Sequence, residues 1–170
     1  IVIHYTALSS ISNSLKYLCS KKNKVSSHYL ISQEGKIYSL VSEKKRAWHA
    51  GQSYWRGSTD INSISIGIEL DFSPSDINNK FTLKLNSALI FLLTKLLKKY
   101  RISNENILGH SDIAPYRKID PGKYFPWQML ENKKLSYRPK FLNRSDIKNS
   151  LKKEWINKNK LNSMKKKILF

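Results

Sequence analysis

The sequence predicts an α/β fold, a central mixed sheet flanked by helices, with a metal site at one edge of that sheet. Three observations point there: short β-branched runs recur over the first 110 residues, one long leucine-spaced segment reads as a packing helix, and histidines stand at the ends of the strand runs. IVIH opens the chain and reads as a strand that delivers His4 at its tip. Ser9 to Ser20 follows as a short amphipathic helix, with Ile11, Leu15 and Leu18 at i, i+4 and i+7. HYLIS and KIYSLV flank Gln33 to Gly35, a hairpin signal with glycine at the turn. Ile64, Ile66, Ile68 and Leu70 alternate as on a strand and leave Glu69 on the opposite face. Phe81 to Tyr100 is the strongest helix, carrying Leu85, Leu89, Leu92 and Leu96 on one side. Asn104 to Asn106 then leads into a short strand, Ile107 to Gly109, that hands His110 to a loop.

Residues 1–130 make a domain large enough to bury a core without disulfides, and residues 131–170 read as a basic C-terminal extension. That extension holds 13 of the 31 Lys and Arg but 3 of the 12 Asp and Glu, a net +10 of the chain's +19. Ile147, Leu151 and Trp155 suggest a short helix within it, and forty residues suit a remnant or the start of a truncated wall-binding domain. Cys19, the single cysteine, is expected to act as a small apolar residue of the first helix. The chain opens in a strand without methionine, as a processed or truncated chain would, so a signal peptide or lipid anchor upstream is neither implied nor excluded. No apolar run reaches the roughly 18 residues of a membrane span.

Chemistry concentrates in GHSDIAPYRKIDPG, residues 109–122, which packs His110, Lys118 and Asp120 into one run. A hydrolytic zinc ion takes three protein ligands and leaves a position open, so two donors from this run need one from elsewhere, and His4 is the obvious third. Only His4, His28, His49 and His110 are available as histidine ligands. Asp120 lies between Ile119 and Pro121, where proline restricts the preceding backbone; Asp112, two residues after His110, competes for the carboxylate position or orders the loop. The spacing matches no short zinc signature.

IVIHYTA, KRAWHAG, SYWRG, NSISIGIEL and GHSDIAPYRKIDPGKYFPW, in that order, resemble the zinc-dependent N-acetylmuramoyl-L-alanine amidases of the type 2 amidase family. That family is related to phage amidase lysozymes and peptidoglycan recognition proteins, and the resemblance covers roughly residues 1–130. SYWRG followed by INSISIGIEL looks more like its envelope-associated, broad-specificity branch than its cytoplasmic recycling branch.

The resemblance implies His4, His110 and Asp120 as zinc ligands, Glu69 and Lys118 as the catalytic pair, and hydrolysis of the amide between N-acetylmuramic acid and L-alanine of the stem peptide. Chemistry agrees with those roles, since amide hydrolysis needs an activated water, a polarised carbonyl, an oxyanion stabiliser and a proton for the amine. Glu69 is the candidate general base, and Lys118 would aim its ammonium at the oxyanion. His49, Trp48, Trp55 and Arg56 are the candidate substrate contacts: an imidazole, an aromatic platform and a cation for a peptide carboxylate. The bland alternatives are a solvent-facing Glu69, a solvated Lys118, a loop-packing His49 and rim packing for the others. His28 reads as core or as support for a ligand; where phage relatives have a catalytic tyrosine before that histidine, this chain has Ser27, which shifts the work to Glu69.

The resemblance further implies peptidoglycan or a muropeptide as partner and a bacterial envelope location, periplasmic, with cytoplasmic recycling as the alternative. The basic tail offers contact with anionic wall or membrane surfaces. Nucleic acid is not expected as a partner, because basic and aromatic residues do not alternate as on a stacking surface. A non-catalytic peptidoglycan recognition module shares the fold, but such modules typically lack a zinc ligand, and all three expected donors are present here.

Overall fold

The computed structural model describes residues 1–75 and 80–138. Five strands form one sheet in the order β3-β2-β4-β1-β5: β1 Val2–Tyr5, β2 Tyr29–Ile31, β3 Ile37–Ser39, β4 Gly67–Leu70 and β5 Leu108–Gly109. β1 lies parallel between β4 and β5, β2 is parallel to β4, and the β2-β3 hairpin is antiparallel, so the sheet is mixed. Register sets His4 beside Glu69 and Ile3 beside both Ile68 and Gly109.

Two helices match the sequence reading closely. Helix α1, Ile11–Cys19, starts where the Ser10 hydroxyl accepts from the Asn13 amide. Helix α3, Leu83–Tyr100, is capped by Thr82, whose Oγ1 accepts from the Leu85 amide at 3.1 Å, and it ends at Arg101 in the left-handed conformation. Leu85, Leu89, Leu92, Leu93 and Leu96 of α3 pack with Ile3, Ile31, Ile68 and Leu70 in the main apolar core. Each such side chain, fully buried, stabilises the fold by roughly 1.5–3 kcal/mol relative to exposure.

The opposite face of the sheet is different. Val2 and Leu108 face a smaller apolar cluster with Ala50, Trp55, Ile61, Ile113 and Ala114, and the same face carries the polar groups His4 and Glu69.

Three expectations need correction. The alternating run from Ile64 is not one strand: Ile61–Ile64 forms a helical turn, α2, leaving Ile64 64% exposed, and β4 begins only at Gly67. The stretch after β5 is less loop-like than expected, because His110 opens a second short helix, α4, His110–Ile113. Cys19 is exposed rather than packed with Leu18.

Helix α5, Trp127–Asn132, crosses residue 130, and Leu135 is buried in the main core, so packing continues past the division expected there. Arg138 reaches back to hold the Asp112 carboxylate through both terminal nitrogens and stacks 4.1 Å above the Trp127 ring. The helix expected around Ile147 to Trp155 lies outside the described residues.

Candidate metal centre

Strand ends gather the site at the carboxyl edge of the sheet. His4 comes from β1, Glu69 from its parallel neighbour β4, and His110 from the residue after β5. Asp120 arrives on the loop beyond α4, which is drawn back by a hydrogen bond from the Ser111 amide to the Asp120 carbonyl at 2.9 Å. Gly109 permits this approach, since a Cβ there would come within 2.6 Å of the Pro121 ring.

His4 Nδ1, His110 Nδ1 and Asp120 Oδ2 form a nearly equilateral triangle: 3.0 Å between the imidazoles, 3.0 Å from His4 to the carboxylate and 3.1 Å from His110 to it. All three residues are buried, and among the described residues they form the one cluster with metal-ligand geometry. His110 Nε2 lies 2.9 Å from the Ala50 carbonyl, which only accepts, so that nitrogen donates there and Nδ1 is the atom turned toward the triangle. Burial raises the Asp120 carboxyl, but its close contacts with the His110 and His4 rings outweigh it and hold the group well below the usual carboxylate range. Two imidazoles and an ionised carboxylate this close share too few protons to satisfy one another. A cation with ligand distances of about 2.0–2.2 Å relieves that crowding, and two nitrogens with one oxygen suit zinc.

Burial pushes His4 down to about 4, with Asp120 opposing and His110 and Lys118 adding to the fall, so the ring is a neutral donor at physiological pH. Burial likewise takes Glu69 the other way, to about 8; repulsion from Asp120 adds to this and Lys118 opposes it. Among the described residues, Glu69 Oε2 is buried with no hydrogen-bond partner, so its lone pairs are uncommitted. Lys118 lines the same cleft as the triangle and Glu69. That cleft, about 890 Å³, also takes Tyr17, Trp48, Arg46, Arg117 and Ile119 into its walls.

The other expected contacts divide. Trp48 is half exposed on the cleft wall. His49 is buried, with Nδ1 3.0 Å from His4 Nε2 and Nε2 3.2 Å from Ser65 Oγ. Trp55 and Arg56 do not join the cleft: the Trp55 indole donates to Asn106, and Arg56 pairs with Glu105 at 2.8 Å. His28 is buried between the Lys45 carbonyl and the Gly67 amide, as a core histidine. Asp112 accepts from the Gly109 amide and binds Arg138, so it orders the loop rather than joining the triangle.

Three contributors are not apparent from the sequence. Arg117 Nη2 donates to the Ala50 and Gln52 carbonyls at 2.7 and 2.8 Å, pinning the 47–52 loop against His110. Asn62 Oδ1 accepts from the His49 and Ala50 amides and fixes the same loop from below. Ser65 closes the far side of His49. All three act on main-chain or ring atoms distant in sequence, and the block KRAWHAG, rich in small and aromatic residues, is the only hint that this loop is held closely.

Comparison with known proteins agrees with this geometry. The family model described as N-acetylmuramoyl-L-alanine amidase matches residues 1–123. The chain is 41% identical over 152 residues to N-acetylmuramoyl-L-alanine amidase AmiD of Escherichia coli (strain K12), covering 76% of this chain and 51% of that protein. It is 42% identical over 106 residues to 1,6-anhydro-N-acetylmuramyl-L-alanine amidase AmpD of Haemophilus influenzae, covering 62% of this chain and 56% of that one. The chain thus spans about half the length of the curated relatives it matches. Among solved structures, the complex of E. coli AmiD with anhydro-N-acetylmuramic acid-L-Ala-D-gamma-Glu-L-Lys superposes with a TM-score of 0.76 at 38% identity, over 89% of this chain and 62% of that one. AmpDh3 from Pseudomonas aeruginosa, in complex with anhydromuramic pentapeptide, gives 0.75 at 31% identity, over 92% and 67%. With the family model spanning most of the chain and the donor triangle formed by residues within it, this protein belongs to the N-acetylmuramoyl-L-alanine amidase family, Amidase_2.

Proposed function

We propose that this chain hydrolyses the amide between the lactyl group of N-acetylmuramic acid, or its anhydro form, and the L-alanine of the peptidoglycan stem peptide, with zinc held by His4, His110 and Asp120. The observation that carries this reading is the donor triangle, with edges of 3.0–3.1 Å, opening into the cleft beside the unpaired carboxyl of Glu69. When bound, zinc supplies a Lewis acid that lowers the pKa of water to about 7 and polarises the scissile carbonyl. Glu69 takes the proton from the attacking water and returns it to the leaving amine of L-alanine. Glu69 Oε2 has no hydrogen-bond partner among the described residues, which leaves it open to accept and return that proton. Lys118 faces the negative charge that develops on the carbonyl oxygen.

The remaining cleft residues bind. Trp48, Tyr17 and Ile119 present apolar surface at the rim for the sugar and the alanine methyl. Lys24, Arg46 and Arg117 set positive charge along the walls, which suits a stem peptide rich in carboxylates. Substrate-bound relatives hold anhydromuramyl peptides, which supports a substrate of this class.

We assign the protein to the bacterial envelope, on the periplasmic side, where a chain of net charge +19 meets anionic surfaces, with the basic C-terminal extension, beyond the packed residues up to 138, in contact with them. Cytoplasmic recycling of anhydro-muropeptides is the alternative. No helix among the described residues is long and apolar enough to cross a membrane.

Incubation with a defined anhydromuramyl tripeptide, followed by mass spectrometry, tests the reading. Wild type should release a peptide beginning with L-alanine, and His110→Ala or chelation should abolish release. Binding without cleavage by the metal-loaded chain would make it a recognition module on an amidase scaffold.

A further inference from the structure

Behind the donor triangle, a one-way series of hydrogen bonds leads from His4 to the main chain of α2. His4 Nε2 lies 3.0 Å from His49 Nδ1, His49 Nε2 lies 3.2 Å from Ser65 Oγ, and Ser65 Oγ lies 2.6 Å from the Ile61 carbonyl. The direction of every proton follows from the last member. A carbonyl only accepts, so the single hydroxyl hydrogen of Ser65 goes to Ile61. The Ser65 oxygen must then accept, which places a proton on His49 Nε2. With the ring proton of His49 directed to Ser65 from Nε2, its Nδ1 is the acceptor for His4 Nε2–H at 3.0 Å. His4 Nδ1 is left as a lone pair facing His110 and Asp120.

We propose that His49 and Ser65 are positioning residues that fix His4 in the tautomer able to bind metal, with the Ile61 carbonyl setting the polarity of the relay. His49 borders the cleft, but both of its ring nitrogens are engaged within the protein, and its amide donates to Asn62 Oδ1 at 2.9 Å. Its ring also lies against the β4 backbone, where a Cβ on Gly67 would come within 2.5 Å of the imidazole. A histidine held this tightly behind a ligand orients that ligand and raises its basicity, and loss of such a partner typically lowers metal affinity by about 10- to 100-fold. His110 achieves the same end differently, through the Ala50 carbonyl directly.

This inference rests on the reading of His4 as a ligand, and its test separates the two. Two-bond proton–nitrogen correlation spectra of the metal-free chain report which nitrogen of His4 carries the proton; chelator competition reports the zinc Kd. Wild type should show His4 protonated at Nε2. Ser65→Ala and His49→Ala should mix the His4 tautomers, and His49→Ala should raise the zinc Kd about 10- to 100-fold. Ser65→Thr, which keeps the hydroxyl, and His49→Asn, which keeps an acceptor near the Nδ1 position, should recover most of the wild-type behaviour. The proposal is overturned if His4 keeps its Nε2 proton and the zinc Kd is unchanged in folded Ser65→Ala and His49→Ala, or if wild-type His4 carries its proton on Nδ1. A wild type that binds no zinc would sink the metal reading while the tautomer spectra still decide the relay.

Discussion

The two faces of one sheet are built from the same strands and do opposite work. On β1 and β4, Ile3 and Ile68 face α3, while their neighbours His4 and Glu69 face the cleft. The α3 side buries chiefly leucine and isoleucine, with Asn86 as the polar exception on that helix. The cleft side buries three histidines, an aspartate and a glutamate within a few ångströms, with one carboxyl oxygen unpartnered. Burying such groups costs free energy unless each is paired, so the apolar face stabilises a fold in which the polar face is strained toward a ligand. A one-residue slip of β1 would exchange the two roles, which is why register matters more here than strand length.

That contrast can be broken from either side. Glu69→Gln should lower turnover by about 10²- to 10⁴-fold while metal content and melting temperature stay near wild type, as kinetics with parallel metal analysis would show. Leu89→Ala, on the other face, should do the reverse. It should cost about 2–5 kcal/mol in denaturant unfolding yet leave kcat per folded molecule unchanged. Gly67→Ala probes the boundary, because the new methyl would press on the His49 ring: about 1–3 kcal/mol of stability should go, together with zinc affinity.

The smallest effect belongs to a group remote from both faces. Burial opposes ionisation of Glu43, but hydrogen bonds from Lys99, Tyr100 and Tyr29 outweigh it and hold the carboxyl down at about 2. Its contribution to stability is therefore present above the ordinary carboxylate pKa of about 4.5 and is lost as pH falls toward 2. Unfolding free energy measured from pH 5 downward should fall less steeply in Glu43→Gln than in wild type, with activity at neutral pH unaltered.

Sequence made the apolar face easy to read and the polar face readable only in part. Leucines at helical spacing identify α3 and its buried side without further help, because burial there follows a period that neighbouring residues reinforce. Ile64 misleads for the same reason: its spacing from Ile66 and Ile68 fits a strand, yet it belongs to a helical turn and faces solvent. His4 and His110 announce themselves at strand ends, and the family blocks supply Asp120 and Glu69. Ser65, Asn62 and Arg117 do not, since each acts on a loop 12 to 67 residues away through main-chain or ring atoms that no local pattern marks. Trp55 shows the converse limit: an aromatic in a family block is buried in the small core, facing away from the cleft.

In the proposed reaction His4, His110 and Asp120 together hold one catalytic zinc ion. X-ray absorption spectroscopy at the zinc edge, on protein with its metal content measured in the same sample, tests it most directly. The expected result is one zinc per chain with two imidazole nitrogens and one carboxylate oxygen among its ligands, and loss of that signal together with amidase activity in Asp120→Ala. Amidase activity that survives complete removal of the metal, or a zinc bound by other residues, would contradict it.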